Sequence, residues 1–132
     1  MIYHIVLASS FRAQLQGTAY QPSSLAEDGF VHCSLEPQVI PVANHYYDRA
    51  SEQLLLLEID PDRLASETRY EAAAPIARDD SSHLAGASLF PHVYGPIDRG
   101  AIMGVGLLAR SGGGFSWPGS FIPLDAFLEA TP

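Results

Sequence analysis

Gly29-Phe30-Val31-His32-Cys33-Ser34 begins apolar and carries a histidine where a buried strand usually has an aliphatic residue. The leading glycine and the final serine predict a strand that leaves a turn and leads into a helix capped by Ser34. Strand alternation separates the even-numbered residues, including His32, from Val31 and Cys33 on the opposite face. We therefore predict that His32 faces a site and that Cys33 is a buried structural residue, not a catalytic partner of its neighbour.

Two further extended stretches also have a histidine within an apolar run. His4 lies in Met1-Ile2-Tyr3-His4-Ile5-Val6-Leu7, and His92 lies between the two prolines of Leu89-Phe90-Pro91-His92-Val93-Tyr94-Gly95-Pro96-Ile97. Burying an imidazole costs free energy unless both ring nitrogens find partners. Three such interruptions in one small chain predict that His4, His32 and His92 converge on one pocket.

Composition limits the class of protein. The chain has 132 residues, of which 47% are hydrophobic and 17% charged, so we predict one folded domain over residues 1–132. Seven arginines, no lysine and fifteen carboxylates give a net charge of −8, which disfavours a nucleic-acid partner. No apolar run approaches the roughly 20 residues that cross a bilayer, so no membrane partner is expected. The chain lacks a signal-peptide pattern, and its single cysteine fits a reducing compartment, so we predict a cytoplasmic protein.

Apolar and β-branched runs predict more strand than helix. The predicted strands are 2–8, 30–33, 54–59, 68–71, 101–108 and 115–117. A helix is predicted from about Pro41 to Asp48, because a proline deep inside a helix is unfavourable. Residues 72–88 are small, polar and aperiodic, which predicts a loop that is either a lid or an insertion. The pattern indicates an α+β domain.

The three histidines are consistent with three kinds of site. Imidazole nitrogens can hydrogen-bond ribose or phosphate, and Tyr3 and Tyr94, near two of them, can stack on a flat ring. Histidine can also act as a general acid or base. A three-histidine site for Zn²⁺ or Fe²⁺ ranks third, because no two of these histidines have the short spacing usual for metal ligands.

Other polar residues have simpler interpretations. His45 is predicted on a helix and His83 in a solvated loop, so neither is a site candidate. Glu58 and Glu71 are possible general bases. Glu71 shares a strand face with Arg69, which equally predicts a surface ion pair.

Four motifs, at residues 2–6, 29–34, 56–60 and 90–96, resemble in this order those of the bacterial domain-of-unknown-function 952 family. The resemblance covers residues 2 to about 110 and leaves 111–132 as a C-terminal tail. That family resembles the ADP-ribosyltransferase fold. The resemblance implies two small packed, mostly antiparallel sheets with a few short helices and a cleft between the sheets.

The resemblance also implies NAD as the cofactor and a small-molecule nucleotide as the partner. His4 matches the position that holds the ribose of NAD, His32 matches the second position, and the third is His92 or Glu71. The whole predicted site comprises His4, His32 and His92 as catalytic residues, and Tyr3, His4, His32, Ser34, Tyr94 and Glu71 as cofactor contacts.

Three functions are consistent with these residues and with the resemblance. The first is an ADP-ribosyl transferase or NAD-cleaving enzyme. The second is a non-catalytic nucleotide- or ADP-ribose-binding module, which is favoured because no glutamate stands clearly at the third motif position. The third is a metal-dependent hydrolase built on the three histidines.

Overall fold

The computed structural model describes residues 1–72 and 89–130. Its sheets are built from antiparallel strands. The strands are β1 Ile2–Leu7, β2 Leu15–Gln16, β3 Ala19–Tyr20, β4 Val31–His32, β5 Leu54–Ile59, β6 Glu67–Glu71, β7 Phe90–Tyr94, β8 Ile97–Asp98, β9 Ile102–Ser111, β10 Gly114–Ser116 and β11 Phe121–Ile122. The helices are α1 Ala8–Gln14, α2 Ser23–Asp28, α3 Glu36–Tyr46 and α4 Leu124–Ala130. Short 3-10 turns span Pro61–Arg63 and Arg99–Ala101. The fold is therefore α+β, as predicted.

The central sheet has the order β1-β5-β9-β10, and β11 also pairs with β9. Strand β5 is apolar on both faces because each face is covered. Leu55 and Leu57 belong to one hydrophobic cluster, and Leu54 and Leu56 belong to another. Helices α1 and α4 pack on the first cluster, while Val39 and other residues of α3 pack on the second. An uninterrupted apolar run is what a strand buried on both faces requires.

Two smaller sheets complete the described part of the chain, with the orders β2-β3-β8 and β4-β7-β6. The expected number of sheets was two, and the structure shows three. One residue pair links β1 to the end of β4: the Tyr3 amide donates to the Ser34 carbonyl at 2.9 Å, and the Ser34 amide donates to the Tyr3 carbonyl at 2.7 Å. Because this pairing does not continue, the β4 sheet remains separate from the central sheet.

The start of α3 differs from the prediction. The helix begins at Glu36, and its first turn is fixed by the Leu35 amide, which donates to Gln38 Oε1 at 2.8 Å. Ser34 therefore does not cap the helix. Pro41 lies inside α3 and faces solvent, where water can reach the carbonyl left without a helical donor.

The C-terminal tail, residues 111–132, contains helix α4. Leu124 of α4 is buried, and Phe127 packs against the same hydrophobic cluster as α1. Apart from Ala72, the loop predicted over residues 72–88 lies outside the described residues, and so does His83. In the described ranges, no helix combines the length and hydrophobicity needed to cross a bilayer.

Candidate functional site

The candidate site lies on one face of the β4-β7-β6 sheet. His32 of β4 is directly opposite His92 of β7, so their side chains share this face. The Phe30 ring stacks on His92 with centroids 4.2 Å apart and also lies 4.6 Å from the His32 ring. The two imidazole centroids are 5.7 Å apart. We call Phe30, His32, Glu71, His92 and Tyr94 the imidazole cluster.

His92 is a neutral imidazole oriented by a carboxylate. Its Nδ1 lies 2.8 Å from Glu71 Oε1, and since an ionised carboxylate only accepts hydrogen bonds, Nδ1 carries the proton. Burial lowers the pKa of His92 despite this hydrogen bond, so the ring is neutral at pH 7. Its Nε2 keeps a lone pair and makes no hydrogen bond with any residue that the structure describes. This nitrogen can accept a proton.

Glu71 is held by two donors on one of its oxygens. Oε1 accepts from the Tyr94 hydroxyl at 2.6 Å as well as from His92. These hydrogen bonds, the one from Tyr94 being the larger contribution, lower the pKa of Glu71 and keep it ionised at neutral pH. Within residues 1–72 and 89–130, Oε2 has no hydrogen-bond partner, and the side chain is 38% exposed. Glu71 therefore presents an oriented negative oxygen to solvent.

His32 has a carboxylate partner of its own. Its Nε2 lies 2.8 Å from Asp28 Oδ2. Gly29 makes this contact possible: with φ of 85° it adopts the left-handed conformation that ends α2 and turns the chain back into β4. The His32 side chain is 33% exposed, and its Nδ1 hydrogen-bonds to none of the described residues. Asp28 was not predicted from the sequence, although its four-residue spacing from His32 across a glycine turn would have indicated it.

His4 does not join the imidazole cluster. Its Nδ1 donates to the His32 carbonyl at 2.7 Å, and its Nε2 lies 2.8 Å from the Tyr20 hydroxyl, which must donate to the unprotonated nitrogen. Burial lowers the pKa of His4 to about 4, so the ring is neutral. Both nitrogens are thus occupied in the core. The structure brings His32 and His92 together and places His4 behind the backbone of β4, as a support for that strand.

Tyr3 and Ser34 also lie apart from the cluster. The Tyr3 ring packs edge-on against Trp117 at 5.1 Å, and its hydroxyl donates to Glu58 Oε2 at 3.1 Å. Burial, with smaller contributions from Glu58, raises the pKa of Tyr3 to about 12. Ser34 is buried. In the part of the chain described here, neither side chain makes a hydrogen bond or ring contact with the imidazole cluster.

The arrangement does not favour a metal centre. Among residues 1–72 and 89–130, no three histidine, cysteine, aspartate or glutamate side chains are placed to share a metal ion. The three-histidine hydrolase is therefore not supported, since the ring nitrogens of His4 face Tyr20 and the His32 carbonyl. The geometry instead provides one partly exposed imidazole, that of His32, and one oriented carboxylate, that of Glu71, above the buried rings of Phe30 and His92.

Cys33 is expected to be chemically inert in the folded protein. It lies in the hydrophobic core, and burial raises the pKa of its thiol well above the usual range. Native protein should therefore react with Ellman's reagent at least about 100-fold more slowly than protein unfolded in guanidinium chloride. The unfolded sample is the control and should release one equivalent of chromophore. Rapid stoichiometric labelling of the native protein would contradict the buried position.

Residues 5–105 match the sequence profile of a family described as "Protein of unknown function (DUF952)". The chain belongs to the DUF952 family. The imidazole cluster lies entirely within the matched residues.

Two crystal structures resemble this DUF952 protein: protein CC0527 from Caulobacter crescentus, with a TM-score of 0.67 and 21% identity, and a double mutant of CC0527, with a TM-score of 0.66 and 20% identity. Each similarity covers 98% of both chains. At this identity the similarity shows the fold alone. The search of curated proteins found no match for this DUF952 protein.

Proposed function

We propose that this DUF952 protein recognises NAD or ADP-ribose at the imidazole cluster and cleaves the bond between nicotinamide and ribose. The observation that carries this proposal is the ionised Glu71, held by Tyr94 and by His92, whose ring lies 5.7 Å from the partly exposed ring of His32. The antiparallel strands, and the separation of the β4 sheet from the central sheet beyond the backbone pair Tyr3–Ser34, are the features in favour of an ADP-ribosyltransferase-like arrangement.

The chemistry requires a negative group in a fixed position. Cleavage of the nicotinamide–ribose bond develops positive charge on the sugar, as in other glycosyl transfers. A carboxylate that is already oriented stabilises this charge without reorganising during the reaction. Glu71 meets this requirement because Oε1 is anchored by two donors and Oε2 remains open. Of the two candidates for the third motif position, His92 and Glu71, we assign this role to Glu71.

Recognition would combine stacking and hydrogen bonding. The partly exposed rings of His32 and Tyr94 offer contact surface, and the open Oε2 of Glu71 can accept a hydrogen bond from a ribose hydroxyl. His4 would act indirectly, by fixing the backbone of β4 through the His32 carbonyl. This role replaces the direct ribose contact that the family resemblance implies, because a direct contact would break one of the two buried hydrogen bonds of His4.

The charge of Glu71 favours the cationic nicotinamide ring of NAD, because this carboxylate is ionised and its Oε2 is open. Glu67 is paired at 3.0 Å with Arg69, which also lies 4.3 Å over the Tyr94 ring. Because like charges repel, the pyrophosphate of NAD would lie away from Glu71. The cytoplasm, where an unpaired buried cysteine remains reduced, is the compartment we propose.

Thermal unfolding with and without ligand tests this proposal. NAD at about 100 times its Kd should stabilise the protein by about 2.7 kcal/mol, and the same sample should release nicotinamide, measured by chromatography. The His32→Ala variant should lose the stabilisation, whereas His45→Ala, which changes a histidine of α3 outside the cluster, should keep it.

The outcomes separate the enzyme from a binding module. Stabilisation by ADP-ribose without release of nicotinamide from NAD would support a non-catalytic module and contradict the enzyme. If neither NAD nor ADP-ribose stabilises the protein, the proposal is wrong. Equal stabilisation of wild type and His32→Ala would place the ligand elsewhere on the chain.

A further inference from the structure

We propose that the acceptor of the ribosyl group is a hydroxyl, from water or an alcohol, and that His32 Nδ1 removes its proton. This inference rests on the proposed function and specifies the second substrate of the same site. The observation behind this inference is the contact between His32 and Asp28, which has no role in the cleavage step described above.

The contact with Asp28 determines which ring nitrogen of His32 can accept a proton. An ionised carboxylate only accepts hydrogen bonds, so the proton of the neutral ring lies on Nε2, which is 2.8 Å from Asp28 Oδ2. The lone pair is then on Nδ1, on a side chain that is 33% exposed. A carboxylate that fixes the tautomer and orientation of an imidazole is a common support for a general base.

Glu71 and His32 contact different sides of His92. The Nδ1 of His92 lies 2.8 Å from Glu71 Oε1, and its ring centroid lies 5.7 Å from that of His32. His32 Nδ1 hydrogen-bonds to none of the described residues, so it can accept a proton from an acceptor hydroxyl while Glu71 faces the sugar.

The positions of the carboxylate hydrogen bonds disfavour a guanidinium acceptor. A guanidinium is bound best by both oxygens of one carboxylate. Glu71 Oε1 already accepts from both His92 and Tyr94, so this carboxylate cannot bind a guanidinium through both of its oxygens. Asp28 Oδ2 accepts from His32, which holds that carboxylate at the imidazole. The open Nδ1 of His32 is suited to a neutral hydroxyl, which must lose a proton as it attacks.

The reaction balances with these groups alone. The bond between ribose C1′ and the nicotinamide nitrogen breaks, and its electron pair leaves with nicotinamide, which becomes neutral. The acceptor oxygen bonds to C1′, and its proton passes to His32 Nδ1 and then to solvent. Glu71 remains ionised throughout and stabilises the positive charge on the sugar.

Product analysis tests the acceptor. Wild-type protein incubated with NAD should yield ADP-ribose, added methanol should give the methyl riboside of ADP-ribose in competition with water, and added agmatine should give no adduct. The Asp28→Asn variant should reduce kcat for both products by about 100-fold, since general-base catalysis contributes about 10²–10⁴-fold. The Kd for NAD should stay within about threefold of wild type, because His32 is retained, and the pH dependence of kcat should change.

Glu27→Gln is the matched control, because it removes the exposed neighbouring carboxylate of α2 and should leave kcat unchanged. An agmatine adduct, or an Asp28→Asn variant with the wild-type kcat and pH profile, would overturn the hydroxyl acceptor while nicotinamide release still upheld the proposed function. Absence of nicotinamide release from wild-type protein would overturn both.

Discussion

Replacing Glu71 by glutamine is expected to slow nicotinamide release by about 100- to 1000-fold, the usual cost of losing one oriented electrostatic group. Glutamine keeps an oxygen that can accept from His92 and Tyr94, so the local packing should survive. It removes the negative charge that would stabilise the developing positive charge on the ribose. The measurement is kcat for nicotinamide release, with the Kd for NAD determined by calorimetry.

Glu67→Gln is the control for this substitution. Glu67 lies on β6 four residues before Glu71 and is exposed, and its carboxylate pairs with Arg69 and makes no contact with an imidazole of the described chain. Its replacement should change kcat less than about threefold, in line with the small contribution of exposed ion pairs. A loss confined to kcat with unchanged Kd would indicate an interaction made only in the transition state. Equal rates for Glu71→Gln and wild type would remove Glu71 from the chemistry.

The strand pattern predicted much of the fold. The strand predicted over residues 54–59 has the same bounds as β5, Leu54–Ile59. The uninterrupted apolar run also indicated a strand buried on both faces. Alternation also predicted that Val31 and Cys33 lie on the face opposite His32, and both are in the hydrophobic core. The shared face of Arg69 and Glu71 followed from the same rule.

The grouping of side chains could not be predicted from local pattern. Alternation assigns a residue to a face of its own strand, but the neighbour on that face depends on which strands pair and in which register. His32 meets His92 because β4 pairs with β7, and His92 meets Glu71 because β7 pairs with β6. The separate position of His4 depends on Tyr20, which reaches the core from a short hairpin that no motif indicated.

His4→Ala is expected to lower the free energy of unfolding by about 2–4 kcal/mol, because each buried polar group left without a partner costs about 1–3 kcal/mol. The substitution would remove the side-chain partner of two groups, the His32 carbonyl and the Tyr20 hydroxyl. Tyr20 is fully buried. Denaturant unfolding at pH 8 measures the loss. His4→Gln is the informative comparison: its amide has a donor for the carbonyl and an acceptor for the hydroxyl, so it should recover part of the stability. A full wild-type stability for His4→Ala would contradict the buried hydrogen bonds.

Comparison of His4→Gln with wild type also tests the pH dependence of stability. The folded state lowers the pKa of His4 from 6.5 to about 4, so between these values the unfolded chain binds more protons than the folded one. The contribution of neutral His4 to the free energy of unfolding is complete above pH 6.5 and is lost as the pH falls to 4. The total loss is about 3 kcal/mol. His92, whose pKa is also lowered, acts in the same direction and is present in every sample. His4→Gln cannot titrate at this position, so its free energy of unfolding should fall less steeply than that of wild type between pH 6.5 and 4. Parallel curves for the two proteins would show that His4 does not titrate on unfolding as its buried position requires.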